Sequence, residues 1–229
     1  MMQALKIDEE IWQMFPVARF EVLVVKGINN RSQADEPYQE LLDSAIEKSQ
    51  KYIANDVFRD NPVVSEWRTA FTKFKKKKGA RASIEALLKR VSQGKSLSPI
   101  NPLVDIYNSI SLEYGVPCGG EDLQKMDGTM HLGVAKGGES FRPLGSDEDE
   151  PALPGEVIYY DATGAICRCF NWREAQRTML TEDTTDAVMV IEAINADQAQ
   201  RAKLAIEKLK ELVESKLNAT GEHFTLQAQ

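Results

Sequence analysis

The chain has 229 residues, 42% of them hydrophobic, enough for one substantial core or one core with a smaller helical annex. Acidic residues outnumber basic ones by 35 to 28, a formal net charge of −7, which argues against a surface built to grip long nucleic acid, DNA included, and leaves any RNA contact local. No stretch approaches the roughly 20 apolar residues that span a bilayer, and the opening MMQALKIDEEIWQMF lacks an export pattern, so the cytoplasm is the expected compartment, with no membrane partner.

Residues 18–28, ARFEVLVVKGI, read as a buried β-branched strand that stops at Gly27. Residues 38–54 read as a helix with Leu41, Leu42, Ala45, Ile46, Tyr52 and Ile53 along one stripe. Asn61-Pro62 opens the next helix, because proline fits a first turn, and Val63, Val64, Trp67, Ala70, Phe71 and Phe74 form its apolar face. The strongest charge run, Lys73 to Arg81, ends that helix and enters a loop. Ser83 is the expected N-cap of a helix whose inner side is Ile84, Leu87, Leu88 and Val91. Asn101-Pro102 opens another, with Leu103, Val104, Ile106, Tyr107 and Ile110 inward.

From Gly115 the pattern turns to β, punctuated by Gly119-Gly120, Asp127-Gly128 and Gly137-Gly138. Residues 129–135 alternate weakly, and 146–151, SDEDEP, form an acidic surface loop. EVIYYD and AICRCF flank Ala162-Thr163-Gly164, a hairpin signal. A polar loop over 171–185 precedes the buried strand DAVMVIEAI. A helix from about Asp197 to Leu217 follows, and the tail GEHFTLQAQ is expected to fray. This order predicts an α+β fold with helices packed on a mixed or antiparallel sheet, as one domain over 1–229.

The common enzyme signatures are absent: no GxxxxGK[ST] loop, no GxGxxG after a strand, no GxSxG elbow. His131 and His223, the two histidines, sit in no HxxxH or CxxC setting, so no metal and no cofactor are expected. Cys118, Cys167 and Cys169 read as free thiols, and Cys167 and Cys169, two apart in a strand, as buried small groups on one face. The acidic residues Asp147 to Glu150 read as plain surface rather than a cation site. Lys75, Lys76, Lys77, Lys78 and Arg81 are either a solvated loop or a local RNA-phosphate contact. The informative segment is RCFNWREAQRTMLTEDTT, residues 168–185. There Arg168, Asn171, Trp172, Arg173, Glu174, Arg177 and Thr178 crowd after a buried strand, where a scaffold can hold a site rigidly.

The run Asn101-Pro102-Leu103-Val104-Asp105-Ile106-Tyr107-Asn108, then Gly115-Val116-Pro117, Asp122, Asp127-Gly128, Ala135-Lys136-Gly137-Gly138-Glu139 and finally Ile191-Glu192 occur in a recognisable order. Over about residues 80–195 the chain resembles the B3/B4 editing domain of the bacterial phenylalanyl-tRNA synthetase beta subunit. It is closer to stand-alone versions carrying an Asn-Trp-Arg signature like Asn171-Trp172-Arg173. Residues 1–79 and 197–217 are then a strand-and-helix extension and a closing helix. The resemblance implies hydrolysis of the ester of a mischarged aminoacyl-tRNA, not an aminoacylating ligase. Carried over position by position, it points to Asn108, and to Glu174 in the loop after the hairpin, as catalytic residues. The histidine that the family has eleven residues after Asn108 is replaced here by Gly119, and its glycine-rich wall reads Cys167-Arg168-Cys169-Phe170-Asn171. The expected pocket holds the aminoacylated 3′ end of a tRNA among Asn108, Gly119, Gly120, Arg168, Asn171, Trp172, Arg173, Glu174 and Thr178. The alternative is a non-catalytic module for a free amino acid or small metabolite on the same fold, and a third reading is a protein-interaction domain.

Overall fold

The computed structural model describes residues 4–31 and 38–228. Two sheets face each other with helices on the outer side of one, an α+β architecture. Sheet A runs in the order β1 (Leu5–Ile7), β4 (Met130–Val134), β5 (Val157–Tyr160), β6 (Ala165–Arg168), β7 (Arg173–Glu174). Sheet B runs β3 (Cys118–Asp122), β8 (Asp186–Ala193), β2 (Arg19–Lys26), β9 (Thr220–Gln227). Between these strands the pairings are antiparallel except β1 with β4.

Strand alternation sorts the core into layers. On β8, Val188 and Val190 face sheet A, while Met189 and Ile191 face the helices. That second layer contains Leu103, Ile106 and Ile110 of α5 (Pro102–Tyr114) and Ala202, Ile206 and Leu209 of α6 (Ala196–Leu217). α5 has the ends its sequence calls for. The Asn101 side chain accepts from the Val104 N–H, Pro102 opens the first turn, and Gly115 closes it in the left-handed region at φ 62°. A Cβ on Gly115 would lie 2.8 Å from the Tyr52 ring. Arg201 donates to the Tyr114 and Gly115 carbonyls, both at 2.6 Å, so α6 ties down the end of α5.

The inner layer joins sheet A to α1 (Glu9–Met14), α3 (Pro62–Ala70) and α4 (Ser83–Ser92) through the aromatic group Phe15, Phe20, Trp67, Phe74 and Phe170. Remaining near these, α2 (Tyr38–Ser49) lies against α5.

Four expectations need correction. The tail does not fray: β9 pairs with β2 from Arg19↔Gln227 to Lys26↔Thr220. Asn218, at φ 52°, reverses the chain after α6, and buried Glu21 accepts from His223 and Thr225 of β9. Ser83 is not an N-cap; Ala82 holds that place, and the Ser83 N–H donates to the Asn171 side chain, a tertiary substitute for a local cap. The helix expected over 38–54 ends at Ser49 and continues only as a 3₁₀ turn, Gln50–Ile53. Cys167 and Cys169 do not share a strand face, because β6 ends at Arg168 and Cys169 and Phe170 turn left-handed at φ 49° and 65°. β1 and α1 carry no assignment in the sequence reading.

Candidate functional site

The site is built where the inner rows of the two sheets meet. Tyr159, Cys167 and Glu174 are successive cross-strand neighbours on β5, β6 and β7, so they form one row on one face of sheet A. Opposite them stand Gly119 and Glu121 of β3, which pair with Val190 and Val188 of β8, and Glu192 two residues further along β8. Gly119 leaves room at the closest approach: a Cβ there would sit 3.4 Å from the Glu174 carboxyl oxygen. Gly120 points the other way, where a Cβ would meet the Met189 sulfur at 2.4 Å.

Together these residues line a half-open cleft of about 50 Å³, closed by Ser83, Met130 and Asn171. Three carboxyl groups lie on its wall. Glu192 is 3% exposed and accepts from the Tyr159 hydroxyl at 2.6 Å and from the Asn171 amide. Asn171 uses its other end to accept from the Ser83 N–H at 3.0 Å. Glu121 is 5% exposed, and its Oε2 has as its neighbour the buried Thr178 hydroxyl, which has no other partner. Glu174 is half-buried on the rim.

The electrostatics follow from this crowding in a place that water barely reaches. Burial raises the Glu174 carboxyl to about 7. Burial also raises Glu192 to about 7, against the opposing pull of Tyr159 and Asn171. Glu121 is pushed well above the usual carboxylate range by burial and then by Glu174, while Thr178 and Arg177 draw it down. The phenols of Tyr107 and Tyr159 and the thiols of Cys118 and Cys167 are raised mainly by burial and then by these glutamates, so they stay protonated at neutral pH. Among the described residues no lysine, arginine or histidine lines the cleft. Arg177, whose charge reaches Glu121, is engaged with Asp161 at 2.7 and 2.9 Å. Among the described residues no group of three His, Cys, Asp or Glu is arranged to hold a metal ion.

Of the residues expected in the pocket, the fold brings together Gly119, Gly120, Asn171 and Glu174. The others stand elsewhere. Asn108 is half-buried in the middle of α5, because the helix continues to Tyr114, and it does not reach the wall. Its neighbour Tyr107 lies in the field of Glu174 and Glu121 instead. Arg168 points to the far face of sheet A, 2% exposed. There its guanidinium grips Glu156 at 2.6 and 2.8 Å and the Glu150 carbonyl at 2.7 Å. Trp172 packs on the inner core with the exposed Arg173 guanidinium 5.3 Å over its ring. Thr178 is buried beside Glu121, outside the lining. Lys77 pairs with Glu150 and Lys76 lies over the Phe71 ring, while Lys75, Lys78 and Arg81 are exposed.

The residues that sequence reasoning missed are Glu121, Glu192 and Tyr159. Glu192 carried a usable signal. It continues the phase of Val188 and Val190 in an otherwise apolar strand, so alternation alone aims it into the core.

Comparison with known proteins agrees with the fold. The B3/4 domain profile matches residues 66–217, more than half of the chain. The phenylalanine–tRNA ligase beta subunit of Nocardia farcinica (strain IFM 10152) is 36% identical over 92 residues, which cover 40% of this chain and 11% of that subunit. The crystal structure of an N-terminal fragment of the phenylalanyl-tRNA synthetase beta subunit from Pyrococcus horikoshii superposes with a TM-score of 0.53. It matches 98% of this chain and 55% of that one, and at 11% identity it speaks for the fold alone. This chain is a member of the B3/4 domain family.

Proposed function

We propose that this chain binds the aminoacylated 3′ end of a tRNA in the cleft between its sheets and hydrolyses the ester held there. One observation carries the reading: in a B3/4 family member, Glu174, Asn171 and the Gly119–Gly120 strand line a single cleft. The relatives, named as beta subunits of a phenylalanine–tRNA ligase, supply the substrate class, an amino acid joined to tRNA.

The chemistry asks for a placed water and a base of suitable strength. Glu174, held near 7 by burial, is matched to neutral pH, where a general base works best. Water attacks the ester carbonyl carbon and gives its proton to the Glu174 carboxylate. The bond from carbonyl carbon to ribose oxygen breaks, that oxygen takes up a proton, and free amino acid leaves the tRNA hydroxyl behind. β3 is an edge strand, so its outward amides, apart from that of Asp122, which donates to the Thr178 carbonyl, are donors available to the developing oxyanion. Glu192, oriented by Tyr159 and Asn171, receives the α-ammonium. Exposed Lys75, Lys78 and Arg81, in the segment that runs on to Ser83 of the wall, supply the positive charge this reading needs for the terminal phosphates. A cytoplasmic location goes with this reading.

The test incubates the purified chain, and its Glu174→Gln variant, with a panel of mischarged tRNAs. Faster release of at least one amino acid than in buffer, lost in the variant, is expected. If every ester is as stable as in buffer and none of the tRNAs binds, the reading is wrong. Tight binding of a free amino acid in calorimetry, with no tRNA bound, supports the alternative of a non-catalytic module.

A further inference from the structure

The cleft that holds Glu174, Asn171 and Glu192 is narrow, and its walls are tied together. About 50 Å³ of open space lies between the sheets. One buried water needs about 10–15 Å³ of such space, and a cavity that admits benzene has about 150 Å³. The gap between β3 and the rim shows the same limit independently: a single carbon added to Gly119 would already lie 3.4 Å from the Glu174 carboxyl oxygen. Non-bonded atoms approach no closer than about 3.5 Å without strain, so a ring does not pass between these two residues. Nor do the walls part without breaking bonds. The Tyr159 hydroxyl of sheet A donates to Glu192 of sheet B at 2.6 Å, and Asn171 joins Glu192 to the Ser83 N–H. On the floor, Met130, Tyr159 and Cys167 are buried in the inner core, where displaced atoms find no empty space.

We infer that the guest's side chain is smaller than a benzene ring, and that Met130 and Tyr159 set this limit: the substrate class is an ester of an amino acid of alanine or serine size, not an aromatic one. This rests on the hydrolase reading for the ester, and on the cleft alone for the size. With the α-ammonium on Glu192, a side chain of about one or two heavy atoms fills the space that remains. Tyr159 cannot swing aside without giving up its bond to Glu192. Met130, from the neighbouring strand β4, is an unbranched chain, and cutting it back to Cβ widens the floor without touching Glu174, Asn171 or the Tyr159–Glu192 bond. The sign of the preference is diagnostic, because in an open groove the larger apolar surface of an aromatic guest would bind more tightly.

The probes are alaninamide and phenylalaninamide, which share the α-amine and the amide and differ only in the ring. Titration calorimetry on the full chain at pH 7 should show alaninamide binding roughly tenfold or more tighter, the penalty of overfilling a packed site. Met130→Ala should narrow or reverse that preference. Equal affinity for the two amides, tighter phenylalaninamide, or no binding of either overturns the inference, and the wild-type comparison stands even if the variant does not fold. An undiminished preference in a folded Met130→Ala overturns the part given to Met130. A parallel arm compares release of alanine and of phenylalanine from tRNAs that carry them. If the amide preference holds but neither tRNA is hydrolysed or bound, the size assignment survives and the hydrolase reading fails. If phenylalanine is released as fast as alanine, the hydrolase reading survives and the size assignment fails.

Discussion

The two faces of β6 treat buried charge in opposite ways. On the outer face Arg168 and Glu156 are 2% and 0% exposed, and each is answered: the guanidinium forks onto both carboxylate oxygens and a third donor reaches a backbone carbonyl. On the inner face, across Cys167, three carboxyls share a cleft with no cationic side chain among the described residues of its walls. A buried pair with satisfied hydrogen bonds holds a fold in one arrangement, whereas a buried charge without a partner is a cost to folding that makes sense as a place for something else. The contrast teaches that the outer pair is architecture and the inner group a receptor, although both consist of residues that a sequence presents as equally polar.

The largest effect should come from breaking the matched side. Arg168→Met leaves Glu156 buried and alone, and is expected to cost about 3–5 kcal/mol in denaturant unfolding. Adding Glu156→Leu should recover most of that loss. If Arg168→Met costs no more than an exposed substitution, the outer pair is not holding anything and the contrast is empty.

Next in size is the functional consequence on the unmatched side. Glu174→Gln keeps the shape of the rim and removes the base, so ester release should fall about 10²-fold or more. The folded protein should be no less stable than wild type, since a half-buried ionisable group is replaced by a neutral one. Loss of both activity and fold together would move Glu174 into the architectural class with Arg168.

How much of this contrast a sequence can carry depends on the residue. α5 was legible because its signals are local: Asn101, Pro102 and Gly115 cap and end the helix within their own turns. The strands β2 and β8 were legible from their apolar runs, and the hairpin β5–β6 from its turn. β9 was not, because TGEHFTLQ takes its stability from a partner 200 residues away, through contacts such as His223 and Thr225 on Glu21. In the site, Gly119, Asn171 and Glu174 came from the ordered motifs of a family, while Arg168 was misread for a physical reason. It sits one residue from Cys167, and strand alternation sends neighbours to opposite faces. Glu121 and Glu192 acquire their meaning only from register, which sets Val190 against Gly119 and Val188 against Glu121 and is fixed by tertiary pairing.

A smaller effect concerns pH. Glu174, Glu192 and Glu121 all bind protons more tightly in the folded chain than in the unfolded one. For carboxyls shifted upward, the folded state holds extra protons between the ordinary carboxylate range and the raised value. Stability is then highest below that window and falls as pH climbs from about 4.5 through about 7. The surrounding phenols and thiols do not contribute, being raised to stay protonated there. Denaturant midpoints taken across this range should slope downward in wild type and less so in Glu174→Gln. A flat wild-type profile would mean that the cleft is already matched by a charge.

The smallest effects separate paired from unpaired lysines in the loop before α4. Lys77 is held by Glu150, whose own carboxyl is pulled below its usual range by that contact, so its charge is already answered. Lys75, Lys78 and Arg81 are exposed, free to neutralise phosphates. If they do so beside the cleft mouth, Lys78→Ala and Arg81→Ala should each weaken tRNA binding a few-fold, irrespective of tRNA sequence. Each should also lower the slope of log affinity against log salt by about one. Lys77→Ala should change that slope less, because the Lys77 charge is already taken up by Glu150 and releases few counterions from a phosphate. Equal slopes for all three variants would show that the RNA does not pass over this loop. The matched and unmatched charges would then differ only inside the protein, at the cleft, and not along the path that leads to it.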